Sequence, residues 1–187
     1  LSEAVDGAGK DYKSVFAVIL GTGVGAGYSY DKKIIVGPNK LTGEWGQNPI
    51  PGPMDEYEKS VKRHCGRVGA IEVFLSGPGL ENYYEYKTKS KIPSREIVSL
   101  YQKKDSVAGE VMNVYFERIA RSFSSFVNIL DPDIIVCGGG MSEIDGIYDE
   151  GPKRIIPYIA SNFFLTPIVK AAHGSSSGVR GAAHLWD

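Results

Sequence analysis

The apolar positions follow two rhythms along the chain. Val-Phe-Ala-Val-Ile-Leu (15–20) is an unbroken apolar run rich in β-formers, which predicts a strand buried on both faces. Gly-Thr-Gly-Val-Gly-Ala-Gly (21–27) follows, and residues 28–36 read again as strand with a turn at Asp31 and Lys32. The opening of the chain thus predicts a β-meander, preceded over residues 1–9 by a helix end stopped at glycine. Residues 37–57 form a long Gly/Pro-rich loop, a length that marks function or disorder; Trp45 argues for order. Short helices are expected over 70–76, 79–87 and 94–103. The strongest helix spans 105–130, where Val107, Val111, Val114, Ile119, Phe123, Phe126 and Leu130 lie on one stripe. Asp131-Pro132 ends it. A short buried strand (133–137) then runs into Gly-Gly-Gly. A helix follows, starting near Ser142 or Asp145 and reaching Ala160, with Pro157 expected to kink or split it. A last strand over 166–170 and a small-residue helix over 175–186 close the chain. A meander followed by helix, strand, helix, strand and helix is an α/β layout.

Composition narrows the function classes. With 187 residues, 42% hydrophobic and 23% charged, the chain suits one globular domain. A net charge of −1 and the lack of a basic run speak against nucleic acid as a partner. No apolar stretch is long enough to span a bilayer, so no membrane partner is expected. Cys65 and Cys137 lie far apart and imply no disulfide framework, which fits a reducing cytoplasm. The N-terminus is neither a signal peptide nor an initiator methionine and reads as a point inside a longer protein.

Glycine, at 23 residues, is the outlier, and it is clustered. Clustered glycine marks backbone that bends sharply or lies close to something. The 21–27 cluster is not a dinucleotide fingerprint, because that motif needs a helix after the glycines and here strand follows. Two readings stay open: a phosphate cradle of backbone N–H groups helped by the Thr22 hydroxyl, or a plain tight hairpin. The second cluster, Gly138, Gly139 and Gly140, lies past the C-terminal end of a buried strand, where α/β sheets hold ligands; bare backbone there accommodates a ribose or a flat ring. Glu44 and Glu72 are loop carboxylates among glycines and apolar residues, suited to paired sugar hydroxyls but equally readable as a surface charge and a helix-start acid.

Taken together, Gly-Thr-Gly-Val-Gly-Ala-Gly (21–27), Gly-Glu-Trp-Gly-Gln-Asn-Pro (43–49), Cys-Gly-Arg-Val-Gly-Ala-Ile-Glu (65–72) with Ser-Gly-Pro-Gly-Leu (76–80), and Asp-Pro-Asp-Ile-Ile-Val-Cys-Gly-Gly-Gly (131–140) resemble the ROK family of bacterial sugar kinases, repressors and open reading frames. The fructokinase-like members are the nearest likeness, over essentially the whole chain. The resemblance implies a ribonuclease-H-like lobe of an actin-like ATPase fold, a mixed sheet with flanking helices and an excursion over about 37–104. It implies transfer of the ATP γ-phosphoryl group to a hexose hydroxyl, fructose first, with Mg²⁺ on the phosphates. By the same resemblance Gly21, Thr22, Gly23 and Gly25 hold phosphates, and Gly138, Gly139 and Gly140 border the adenosine. Glu44, Gln47 and Glu72 hold sugar, and the chain pairs as a homodimer.

Two departures stand out. The family's first lobe, with its Asp-Leu-Gly-Gly-Thr loop and the Asn-Asp pair carrying the base, is missing; no acidic residue here fills that role, so this chain alone is expected to be inactive. The family's structural zinc uses one His and three Cys, and those positions are Gln47, Arg63, Cys65 and Ala70. A tetrahedral site needs four good ligands, and His64 beside Cys65 converges poorly, so no zinc is expected. A sugar-responsive repressor and a degenerate sugar- or nucleotide-binding module are the alternatives to an enzyme.

Overall fold

A computed structural model of the protein describes residues 1–184. Five strands form one sheet: β1 (Ser14–Leu20), β2 (Val24–Tyr30), β3 (Lys33–Ile34), β4 (Ile134–Gly138) and β5 (Ile168–Lys170), in the spatial order β3-β2-β1-β4-β5. The hairpin half is antiparallel, with Ser14 opposite Tyr30 and Leu20 opposite Val24; β1–β4 and β4–β5 are parallel. Sequence and structure agree on this mixed α/β sheet. The turn at Asp31 and Lys32 forms with both residues at positive φ (49° and 60°), the backbone that a tight hairpin requires. β1 and β4 are locked at their starts by a reciprocal pair: Ser14 N–H and Oγ donate to Asp133 Oδ2 (2.7 and 2.9 Å), and Asp133 N–H donates back to Ser14 Oγ (2.8 Å).

The helices are α1 (Ser2–Val5), α2 (Glu56–Ser60), α3 (Glu72–Leu75), α4 (Gly77–Thr88), α5 (Ser94–Gln102), α6 (Ser106–Leu130), α7 (Gly146–Arg154) and α8 (Ser177–Ala183). Alternation along the strands splits the sheet's two faces. Phe16, Val18, Leu20, Ile135 and Cys137 face α6 and the main core; Val15, Ala17, Ile134 and Val136 face α1 and Ala171. Asp105 caps α6 by accepting from the Ala108 N–H (2.8 Å), and Asp131 ends it in the left-handed region.

The buried face of α6 is wider than one stripe. Met112, Tyr115, Phe116, Arg118 and Arg121 are buried along with the expected Val111, Ile119, Phe123 and Phe126. The cause is a second set of partners: α6 packs against the sheet, with Phe126 stacked on Phe16, and also against α3, α4, α5 and α7. Val107 lies off both faces and is exposed. The helix expected to run to Ala160 is instead three pieces, a 3₁₀ turn at Gly140–Glu143, α7, and a 3₁₀ turn at Ile156–Tyr158 that carries Pro157 in its first turn. A proline lacks the N–H to continue a helix but fits its start. The expected closing helix is shorter, beginning at Ser177, and its positions Leu185 and Trp186 lie outside the described residues.

The 37–57 loop is ordered by a 3₁₀ turn at Glu44–Gln47 and by α2. Gly43 and Gly46 lie directly on the backbone of β2. A Cβ at Gly43 would sit 2.0 Å from Ala26 O, and one at Gly46 2.4 Å from Val24 O, so the motif's glycines let the loop touch the strand. Among the described residues no helix is long and apolar enough to cross a membrane.

Candidate active site

Two clefts meet at the turn between β1 and β2. The larger, about 660 Å³, is bordered by Gly21, Thr22, the first turn of α4, Arg95, Gly140 and Met141. The smaller, about 220 Å³, is bordered by Thr22, Arg63, His64, Glu72, Ser76 and Asn82. Thr22 and Pro78 line both. The junction is hydrogen bonded: Gly77 N–H, at the start of α4, donates to Gly21 O at 2.8 Å. Ser76 caps α4 by accepting from Gly79 N–H (3.2 Å), with Pro78 in the first turn, the residue types that start a helix there. The positive end of a twelve-residue helix therefore faces both clefts. Arg95 adds a cation from the first turn of α5, whose start is held by Ser94 N–H donating to Glu81 Oε1 (2.9 Å). This arrangement suits an anion at the meeting point.

The glycine clusters separate by strand alternation. Gly21 and Gly140 border the large cleft. Gly139 has φ +86°, and a Cβ there would lie 2.4 Å from Leu20 O, so it is the turn that carries β4 past the end of β1. Gly23 borders neither cleft but lies against Glu72, its Cβ direction pointing to Glu72 Oε2 at 2.9 Å. Gly25 and Gly138 border a groove of about 450 Å³ on the opposite face of the sheet, against α1 and α8. Residues 24–27 of the first cluster are strand, not loop, and that alternation turns Gly25 away from the clefts.

Glu72 is the best-defined of the expected sugar ligands. Its Oε2 accepts from Val24 N–H (3.2 Å) and its Oε1 from Arg63 Nε (2.9 Å). Glu44 is exposed at the start of the 3₁₀ turn, and Gln47 is half-buried at its end. Neither borders the small cleft. A short antiparallel register nevertheless brings Gln47 and Glu72 near each other: Pro49 bridges Ala70, and Ile71 N–H donates to Asn48 O (2.9 Å).

The four positions where the family's zinc ligands fall do not make a zinc site. Gln47 and Arg63 are poor donors, Ala70 offers none, and Cys65 is exposed with Arg63 Nη1 3.6 Å from its sulfur. The Arg67 N–H and then Arg63 hold the Cys65 thiol below its ordinary value. The sequence reading missed Arg63, Pro78 and Arg95. A Ser-Gly-Pro helix start beside a buried strand end is a readable signal for Pro78; nothing local marks the two arginines.

The chain matches the model of the ROK family over residues 1–187. It is 39% identical over 189 residues to the N-acetyl-D-glucosamine kinase of Vibrio atlanticus, covering 99% of this chain and 63% of that protein. The N-acetyl-D-glucosamine kinase of Yersinia enterocolitica is 36% identical over 99% of this chain and 62% of its own length. The chain thus spans less than two thirds of the curated relatives it matches. Among solved structures, a ROK family glucokinase from Streptomyces griseus in complex with glucose and AMPPNP superposes with a TM-score of 0.85 at 22% identity, covering 98% of this chain and 64% of that one. A ROK hexokinase from Thermus thermophilus gives 0.84 at 23%, covering 97% and 59%. The fold is the ribonuclease-H-like, actin-like ATPase lobe that the motifs implied.

Proposed function

The chain belongs to the ROK family, and from that premise we propose that it forms the larger, C-terminal lobe of an ATP-dependent sugar kinase. One observation carries the reading: Thr22 and Pro78 border both clefts, so an anion held in the large one ends beside the carboxylate of Glu72 in the small one. The large cleft takes the nucleotide, with Gly140 along it and Thr22 and the start of α4 at its phosphates. The small cleft takes the sugar, with Glu72 accepting from hydroxyls; Glu44 and Gln47 lie on the neighbouring 3₁₀ turn outside the cleft's border, and their part in sugar binding rests on the family likeness. Phosphoryl transfer needs alignment of donor and acceptor and neutralisation of charge more than covalent help from the protein. The helix start and Arg95 supply part of that charge, and Mg²⁺ on the phosphates supplies the rest when bound.

The base lies outside these residues. Glu72 is the one carboxylate bordering the small cleft among the described residues, and both of its oxygens already accept hydrogen bonds. The chain on its own is therefore expected to hold ligand without turnover. N-acetyl-D-glucosamine moves ahead of the fructose that the motif likeness favoured, because curated relatives 39% and 38% identical to the chain carry that name. A homodimer remains part of the proposal through the family alone.

The test is an ADP-release assay on the full-length protein with Mg²⁺-ATP and a panel of N-acetylglucosamine, N-acetylmannosamine, glucose, mannose and fructose. Turnover on one sugar, lost in Glu44→Ala and Glu72→Ala, establishes the kinase and its substrate. Folded protein that binds ADP and sugar but turns over none of them refutes the enzyme and favours a sugar-responsive repressor or a binding module.

A further inference from the structure

The segment from Val61 to Ala70 closes the small cleft, and family members hold it with a metal that these residues do not fit. Something else must fix it. Arg63 N–H donates to Arg67 O (2.8 Å), Gly66 N–H to Arg63 O (2.8 Å) and Gly69 N–H to Val61 O (3.1 Å), and Lys62 bridges Val68, so the loop is a small hairpin with Gly66 and Gly69 at positive φ. From this hairpin Arg63 reaches across to Glu72. Its Nε donates to Glu72 Oε1 at 2.9 Å while Nη1 lies 3.6 Å from Cys65 Sγ. The two side chains are only 18% and 23% exposed, so this pair is better shielded than a surface ion pair.

We propose that Arg63 is the positioning residue for Glu72: its guanidinium joins the 61–70 hairpin to the carboxylate where other family members use zinc. With Val24 N–H on one oxygen and Arg63 Nε on the other, the carboxylate is held from two sides in one rotamer, and its remaining lone pairs are left for the sugar. A guanidinium performs this without a metal because it carries a fixed charge and directional donors on one plane. The sugar-binding half of the inference rests on the kinase reading above; the tethering of the hairpin does not.

The experiment measures sugar KM, kcat and amide hydrogen exchange of residues 62–69 in the full-length protein, for wild type, Arg63→Lys and Arg63→Ala, with and without 1,10-phenanthroline. A charge-assisted hydrogen bond predicts that Arg63→Ala raises sugar KM roughly tenfold to a hundredfold. Since the residue orients a binding group, kcat stays within about threefold. Arg63→Lys recovers part of the loss, and the chelator changes nothing. An active wild type whose Arg63→Ala variant keeps its sugar KM overturns the proposal, as does a chelator that raises KM and releases stoichiometric zinc. If wild type turns over no sugar, the kinase reading falls, and hydrogen exchange decides alone. Faster exchange over 62–69 in Arg63→Ala but not in Arg63→Lys supports the tether, and unchanged exchange overturns it.

Discussion

Glu58→Ala should destabilise the protein more than any other single carboxylate change outside the clefts. Glu58 is 1% exposed. Its Oε1 accepts from Arg118 Nε (2.9 Å) and Arg121 Nη1 (3.0 Å), and its Oε2 from Arg121 Nη1 (3.1 Å) and Asp55 N–H (3.3 Å). Arg118 is enclosed by rings, its guanidinium 4.2 Å from the centroid of Tyr83, 4.9 Å from Phe74 and 5.3 Å from Tyr57. Its Nη2 makes no hydrogen bond among the described residues, and Asp55 Oδ2 is 3.6 Å away. Truncating Glu58 therefore leaves the buried Arg118 cation with no hydrogen-bonded carboxylate and only Asp55, half-exposed and 3.6 Å away. Arg121 suffers less, because its Nε and Nη2 keep the carbonyls of Pro51 (2.7 Å) and Pro53 (3.1 Å).

Breaking a buried pair from one side costs about 3–5 kcal/mol, and the retained carbonyl contacts of Arg121 place the loss near 3. For a chain of this size that corresponds to a fall in Tm of roughly 6–12 °C. Arg118→Met should cost less, since an unbranched apolar chain fills the ring cage and Glu58 keeps its two bonds to Arg121. Urea unfolding at neutral pH, followed by circular dichroism, gives both numbers, and the double variant gives their coupling. A Glu58→Ala loss below about 1 kcal/mol, or an Arg118→Met loss larger than that of Glu58→Ala, would refute the reasoning.

Gly23→Ala should cost about 1–2 kcal/mol, because the new methyl meets Glu72 Oε2 at 2.9 Å and pushes the carboxylate off the Val24 N–H and Arg63 that hold it. The displaced carboxylate should raise the sugar KM without altering the KM for ATP, read in the same ADP-release assay. Burial pushes the Glu3 carboxyl up, but the Ser177 hydroxyl and the N–H groups of Ala8, Ala172 and His173 outweigh it and hold the group below its ordinary 4.5. Its contribution is thus complete above pH 4.5 and is lost as the pH falls through the folded value. Glu3→Gln should flatten the acid side of the stability–pH curve, measured by thermal melts at stepped pH. The two thiols should differ sharply. Burial drives Cys137 up to about 12, while Cys65 is exposed and held below the ordinary 9.0. One equivalent of thiol reagent should react with the native protein, at Cys65, and a second only after unfolding.

Most of the architecture was legible, because it rests on patterns with a period. The continuous run 15–20 and the run before Gly138 are the two central strands, and the α6 stripe was visible from Val111 onward, Val107 being exposed. Its second buried side was not, since nothing in the spacing marks Arg118 and Arg121 as buried; their counter-charge is Glu58, about sixty residues upstream. The glycine clusters announced a site but not its geometry. Sequence spacing groups Gly21, Gly23 and Gly25 together, whereas strand alternation sends the last of them to the far face. Arg63 was legible only as a missing cysteine. Its partner is set by a hairpin that no periodic pattern encodes.

The β1–β2 turn explains why a loop so far from the large cleft matters to it. Gly21 O receives the first N–H of α4, Gly21 N–H donates to Gly23 O (3.0 Å), and Val24 N–H donates to Glu72. Residues 21–24 thus carry the backbone contacts of the helix whose start faces both clefts and of the carboxylate in the small one. A side chain at Gly23 would meet Glu72, and one at Gly46 would meet Val24 O, so the turn and the overlying loop approach each other too closely for either glycine to carry a Cβ without a shift. Arg63 and the Glu58 network tie the remaining side of that loop to α3 and α6. The small cleft is consequently tied to the turn by polar contacts, and a change at Arg63 reaches Val24, two residues from Thr22, through the two hydrogen bonds that Glu72 accepts.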